Sequence, residues 1–472
     1  MQAWRNVRHH QVVVPCAPDR LAILRRLARP GLFDGYVAYG SAEKLTFAAG
    51  RLAEIKVDAA GVAQLLGGRR SSEPLEEHPF RQVGRLLDTL AFPQWRAYGY
   101  VAFEAARLGA VTAPHLPDGG PLLHLVVPET EVTITATGVR VDSVSAAAVA
   151  QVGALISDSA SLPAYTATPF ALGDEGCCAY MESVAAVVEA IRHRRVQKVI
   201  LSRKVPLPFA VDLVGTYILG SAWNNPARSF LVDLDGRRAA GFSPETVLEV
   251  RPDGWVRTQP LAGTRPCGRG DEEDERLRQE LLWDPKEGYE HAISAKLAYE
   301  EMLAVCTPES VGVGDFMTVK RRGPVQHLSS EVTGQLAAGR DRWDALDALF
   351  PAVTASGIPK RDAYAYIAAH ESGPRGMYAG AVCAIDSDGS LDAALVLRAV
   401  FEEHGRAWLQ AGAGIVGTSD PAAEYRETHH KLQSVARVLV RADARVGGDP
   451  TATSVSDSRP VRIRPLSAKD TL

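Results

Sequence analysis

The sequence lacks the marks of several protein classes. No apolar run approaches the roughly 18 residues needed to cross a bilayer, and Met1–His10 has no signal-peptide hydrophobic core. A cytoplasmic protein with no membrane association is therefore expected. Cysteine is scarce, six in 472 residues, and none stand at close metal-binding spacing. Cys177 and Cys178 are neighbours, a poor geometry for a disulfide, so a reducing compartment is the simplest reading. There is no basic surplus: 52 Lys and Arg face 56 Asp and Glu, a net charge of -4. That excludes the electrostatic footprint of a nucleic-acid binder. No internal repeat is visible.

What is present is ordinary globular composition, 46% hydrophobic and 23% charged. The length sets a soft prior of two to three domains. Residues 1–175 alternate short strand-like and helix-like pieces: strands at Gln11–Val14 and Tyr98–Phe103, a helix at Leu21–Leu27, and breaks at Arg69–Pro74 and Leu116–Pro121. Residues 176–441 are more densely patterned and read as a catalytic region. Met181, Val184, Ala185, Val188 and Ile191 recur at helical spacing ahead of a strand holding Lys198. Further strands are predicted at Phe230–Asp233, Thr246–Val250, Ala393–Leu397 and Trp408–Gln410. Helices are predicted over Glu287–Val305, Trp343–Leu349 and Ala422–Val440. The acidic run Asp271–Glu275 reads as a solvated helix or loop face. Residues 442–472 are rich in Gly, Pro, Ser and Thr and are expected to be disordered.

The chemistry concentrates in a few places. Glu287/Glu290 and Glu424/Glu427 are Glu-x-x-Glu pairs, each just after an Asp-Pro helix start (Asp284-Pro285, Asp420-Pro421). Residues three apart share a helix face, so two such helices facing each other build a hard-oxygen site suited to Mg2+. Glu287 has a rival role, because Asp284 at the N-cap and Glu287 at N3 match a capping box. Glu290 lies one turn further in. Glu424 and Glu427 have no capping role, since Ala423 takes N3; their alternative is a solvated face. The adjacent His429 and His430 point about a third of a turn apart on a helix, which argues against a joint metal role.

Lys198 opens an apolar run, Lys198-Val-Ile-Leu-Ser-Arg203. It is either an edge lysine reaching water or a desolvated amine acting as a general base. Glu245, after the turn Gly241-Phe-Ser-Pro, either caps or faces water, or is kept protonated by burial as a general acid. The segments Pro260–Arg265 and Ala411–Ile415 read as glycine-containing loops whose backbone lets an anionic ligand approach. Arg398 ends a buried-looking strand and should meet an anion there. Together these residues suit a small dianion held by Arg398, backbone N–H groups and Mg2+.

This constellation resembles the chorismate-utilising enzymes: anthranilate synthase large subunits, isochorismate synthases and salicylate synthases. The resemblance runs from Tyr180 to about Val440 and more weakly through Tyr98–Phe103. The salicylate synthases of siderophore pathways are matched most closely, on Asp315-Phe-Met-Thr-Val319, Val325-Gln-His-Leu328 and Leu349–Lys360. The resemblance implies an α+β fold of the anthranilate synthase component I type, with large antiparallel sheets packed with helices. It further implies a Mg2+-dependent conversion of chorismate through isochorismate to salicylate and pyruvate. Lys198 then resembles the base that activates water, and Glu245 the acid that protonates the leaving hydroxyl. Glu290 and Glu427 resemble metal ligands, with Glu287 and Glu424 supporting. Tyr378 and Arg398, helped by the backbone of Gly412 and Gly414, resemble the groups binding the enolpyruvyl carboxylate. Gly263, Thr264 and Lys431 fall around the ring carboxylate and metal, and His327 falls near the reacting ring, grouped with the catalytic residues. Lysine at position 198 and Ala262 where a relative has a nucleophilic lysine both point to water as the nucleophile. A monomer with no glutaminase subunit is expected. The alternatives are an isochorismate synthase that releases isochorismate, or a catalytically silent chorismate-binding protein.

Overall fold

A computed structural model describes residues 10–15, 19–66, 69–90, 94–108, 120–268, 270–323 and 325–442. The expected disordered tail, Ala442 apart, lies outside the described residues, as does most of the break at Leu116–Pro121. Two large sheets carry the architecture, one of 11 strands and one of 12. The described strand pairings are antiparallel throughout, and helices pack on both sheets. This is the predicted α+β arrangement.

Both sheets draw strands from either side of residue 175. Tyr36–Gly40 pairs with Arg228–Leu234 in the first, and Arg96–Val101 pairs with Ala381–Asp386 in the second. The N-terminal portion is thus part of one continuous fold. The apolar interior follows, with one cluster combining Val37, Tyr98 and Leu125 with Val199, Leu248 and Ile415. Among the described residues no helix is long and apolar enough to cross a membrane. The five described cysteines are free.

Five strands position the site. In the first sheet, Lys198–Pro206 pairs on one side with Arg406–Ile415 and on the other with the short strand Gly357–Ile358. In the second, Leu261–Pro266 pairs with Val325–Gln335. The helix Pro285–Leu303 packs on that second pair, and the helix Pro421–Ala436 packs on Arg406–Ile415. We call these the first and second glutamate helices. The Asp284 carboxylate accepts from the N–H groups of Lys286 and Glu287, and the Asp420 carboxylate from Ala423. Each cap satisfies otherwise orphaned donors, and the proline after it is pre-set for a first helical turn.

Four expectations need correction. The break at Arg69–Pro74 is mostly the strand Arg69–Glu73, paired with Val62–Leu66. Ala411–Ile415 is not a loop but the end of the ten-residue strand Arg406–Ile415. Its glycines serve close approach rather than a turn, because Ile200 and Ser202 pair directly with Gly414 and Gly412. Pro260–Arg265 is likewise mostly strand; its register shifts between Ala262 and Thr264, where Gly263 adopts φ +77°. That is a glycine bulge, a device that re-aims neighbouring side chains. The acidic run forms the helix Asp271–Trp283, but Asp274 is buried and accepts from the Gly268 N–H and from Arg321. It is a structural anchor and not part of a solvated face.

Candidate active site

Lys198 has no exposure. Its strand is paired on both sides, which excludes the edge reading. Its Nζ lies 2.9 Å from Glu290 Oε1 and donates to Ser294 Oγ at 2.9 Å. Ser294 sits one turn beyond Glu290, and its hydroxyl donates to the Glu290 carbonyl, which leaves its lone pairs facing the lysine. Ile200, two residues along on the same face, lines the adjoining cavity.

Glu245 lies in the same cavity wall, between the strands Arg237–Ser243 and Thr246–Val250. The turn is pinned by Ser243 Oγ, which donates to the Glu245 carbonyl at 2.8 Å. Thr354 donates to Glu245 Oε1 at 2.5 Å. Burial pushes the carboxyl up to about 8, against the opposing pull of Thr354, the Leu261 N–H and Lys198. Glu245 is therefore mostly protonated at neutral pH, the state a general acid requires.

Arg398 is buried at φ +49° and lines the cavity. It donates to the Arg322 carbonyl at 3.0 Å and to His327 Nε2. No carboxylate pairs with it among the described residues. Burial, then repulsion from Arg322, pushes it down to about 10. A buried cation without a counter-ion is costly, so the geometry asks for an anionic ligand in the cavity. His327 faces Thr264 across the strand pair, and its Nδ1 is 3.0 Å from the Gly263 carbonyl. The carbonyl can only accept, so Nδ1 carries the proton and Nε2 is the acceptor for Arg398. Burial and Arg398 hold this ring well below its ordinary pKa, hence neutral. With both nitrogens engaged, His327 orients the arginine.

Tyr378 is buried, its hydroxyl bonded to the Gly412 backbone. Lys431 donates to the Gly412 carbonyl at 2.9 Å and pairs with Glu427 at 2.7 Å. Two of the glycines leave room for the glutamate carboxylates. A Cβ on Gly414 would stand 2.0 Å from Glu290 Oε1, and one on Gly263 would stand 2.9 Å from Glu287 Oε2.

The four glutamates converge as expected. Glu287, Glu290 and Glu424 are all buried, and Lys286 Nζ lies 3.4, 3.6 and 3.1 Å from them respectively. Burial and then repulsion from Glu427 raise the pKa of both Glu287 and Glu424. Glu427, although burial works against it, is held low by Lys431 and Lys286. Glu287 does not close a capping box; its carboxylate turns to Lys286 and Arg265. Two buried carboxylate oxygens, Glu287 Oε2 and Glu424 Oε2, have no hydrogen-bond partner. Orphaned anionic oxygens on two different helices, in an all-oxygen donor set, fit a hard divalent cation such as Mg2+.

Glu245, Gly263, Thr264, Glu290, His327, Tyr378, Arg398, Gly412, Gly414, Glu427 and Lys431 all line one cavity; Lys198, Glu287 and Glu424 are not among its lining residues. The sequence reading missed Thr354, Ser294 and Lys286. Thr354 lies inside the already noted Leu349–Lys360 stretch, but its role depends on a contact 109 residues away in sequence.

A cavity with a buried proton donor, a counter-ion-free arginine and converging carboxylates belongs to an enzyme acting on a small anionic substrate. The chain belongs to the chorismate binding enzyme family, whose model matches residues 35–437. It is 39% identical over 407 residues to a salicylate synthase of Mycolicibacterium paratuberculosis, covering 86% of this chain and 90% of the relative. It is 41% identical over 290 residues to anthranilate synthase component 1 of Streptomyces coelicolor, covering 60% of this chain and 56% of that protein. Among solved structures, anthranilate synthase component I from Streptococcus pneumoniae superposes with a TM-score of 0.68 at 26% identity, covering 84% of this chain and 92% of that one. The menaquinone-specific isochorismate synthase of Escherichia coli has the same fold, with a TM-score of 0.69 at 20% identity over 91% of this chain and 94% of that one.

Proposed function

We propose that the protein is a Mg2+-dependent salicylate synthase that converts chorismate to salicylate and pyruvate through isochorismate. The observation that carries this reading is Glu245, a carboxyl kept protonated by burial in the wall of the cavity that Glu290, the partner of Lys198, also lines. Adding water to chorismate and expelling a hydroxyl needs both a proton acceptor and a proton donor. The extended similarity to a salicylate synthase supports the product.

In this reading Lys198, as the neutral amine, takes a proton from water as its oxygen bonds to the ring carbon beside the carboxylate-bearing carbon. Both ring double bonds shift by one position. The hydroxyl across the ring departs as water with the proton of Glu245. Arg398 holds the enolpyruvyl carboxylate in a planar two-bond pairing, kept in position by His327, while Tyr378 and the Gly412 backbone bound its site. Glu290 and Glu427, with Glu287 and Glu424, would hold Mg2+, which when bound supplies fixed positive charge for the substrate's ring carboxylate. The second half needs no further acid or base. The hydrogen on the hydroxyl-bearing ring carbon moves to the enolpyruvyl methylene as the ring–oxygen bond breaks, which releases pyruvate and leaves aromatic salicylate. The chain's part in that step is to hold the conformation. Water as the nucleophile leaves no role for a glutaminase subunit.

Chromatography of products from purified protein, chorismate and Mg2+ tests this. Salicylate and pyruvate should form in equal amounts and vanish with a chelator. Isochorismate accumulating alone would show an enzyme that stops halfway, and the absence of any turnover would overturn the reading.

A further inference from the structure

Lys286 is placed where helix chemistry disfavours it. It is the second residue of the first glutamate helix, at the positive end of the helix dipole, where a cation is unfavourable. The local sequence gives no reason for it, but the surrounding charges do. Lys198 is committed to Glu290 at 2.9 Å and Lys431 to Glu427 at 2.7 Å. That leaves Glu287 and Glu424, one on each helix. Lys286 Nζ lies between them, 3.4 Å from one and 3.1 Å from the other, with Glu290 at 3.6 Å. Among the described residues the only other cation near Glu287, Arg265, is 3.6 Å away and shared with Glu280 and Asp284. One ammonium therefore bridges carboxylates of both helices, and it cannot reach the orphaned Glu287 Oε2 and Glu424 Oε2 as well. The Lys286 side chain keeps 21% of its exposure, so it has a route to solvent that crosses no core.

We propose that Lys286 is a built-in counter-cation of the glutamate cluster, holding the two helices together until Mg2+ displaces it, and so setting the metal affinity. The inference rests on the Mg2+ site proposed above. A site that is open only part of the time binds with an affinity reduced by that fraction. If the lysine occupies the cluster nine-tenths of the time, removing it tightens Mg2+ binding about tenfold.

The test is calorimetric titration of the full chain with MgCl2, for wild type, Lys286→Met and Lys286→Gln. Thermal unfolding of each is followed in chelator and in Mg2+. Both variants should bind about tenfold tighter, melt lower without metal and gain more from metal than wild type. The wild type offers a third readout that needs no variant. Amine acylation mapped by mass spectrometry should label Lys286 faster in Mg2+, because the side chain has left the cluster. Mg2+ binding by wild type with unchanged or weaker binding in the variants, or labelling of Lys286 indifferent to Mg2+, overturns the counter-cation role and leaves the metal site standing. No binding by any of the three proteins overturns the metal site and the inference with it.

Discussion

Replacing Glu245 with Gln removes one proton and little else. The amide is nearly isosteric, is neutral like the protonated carboxyl it replaces, and still accepts from Thr354. With the group at about 8, protonated outnumbers ionised by about ten to one at pH 7, so wild type carries its acid in the working form. Glu245→Gln should lower kcat for isochorismate formation by roughly 10²–10⁴-fold, the usual contribution of a positioned acid. The wild-type rate should fall as pH rises past about 8. Stability gives a second, independent reading. Proton binding is tighter in the folded protein than in the unfolded chain, where the group sits at 4.5. Its contribution is thus fully present below pH 4.5 and is lost as pH rises to 8. At 1.36 kcal/mol per unit, ionising it inside the fold costs roughly 5 kcal/mol more than in the unfolded chain. The melting temperature of wild type should therefore drop relative to Glu245→Gln between pH 5 and pH 8 and run parallel above that. Near wild-type kcat in the variant, or a melting difference indifferent to pH, would refute the assignment of a buried proton donor.

Three further outcomes follow from the site. Arg398→Lys should lose most of kcat/KM with the protein still folded, because an ammonium cannot copy a two-bond guanidinium pairing; unaltered kinetics would return Arg398 to a structural role. Gly414→Ala places a Cβ 2.0 Å from Glu290 Oε1, so the Glu290 carboxylate must shift, and Mg2+ affinity by titration should weaken together with turnover. Lys198→Ala should make no isochorismate from chorismate yet still convert some supplied isochorismate to salicylate. Loss of both half-reactions in a folded protein would give Lys198 a part in the second step.

Much of the site was legible because its chemistry is local in sequence. The two Glu-x-x-Glu pairs announce themselves through their Asp-Pro starts, and both helices begin where those residues place them. Lys198 stood out against an apolar run. The two site strands misread as loops were not legible for a physical reason: Gly263, Gly412 and Gly414 look like turn residues, but they are selected by atoms from elsewhere in the chain that press on the backbone. His327 was placed near the ring by resemblance, yet its actual task, fixing Arg398 through Nε2, depends on a register between Leu261–Pro266 and Val325–Gln335 that no local pattern encodes. Lys286 was hidden for the opposite reason. Within its own helix a surface lysine is unremarked, and only the fold brings it between Glu287 and Glu424.

The origin of the new hydroxyl tests the proposed chemistry most directly. Purified protein given chorismate and Mg2+ in water enriched in the heavy oxygen isotope should produce salicylate whose phenolic oxygen is labelled, with pyruvate formed in equal amount. Unlabelled salicylate, or no isotope-labelled product at all, would contradict water addition by Lys198 and Glu245 as the first step.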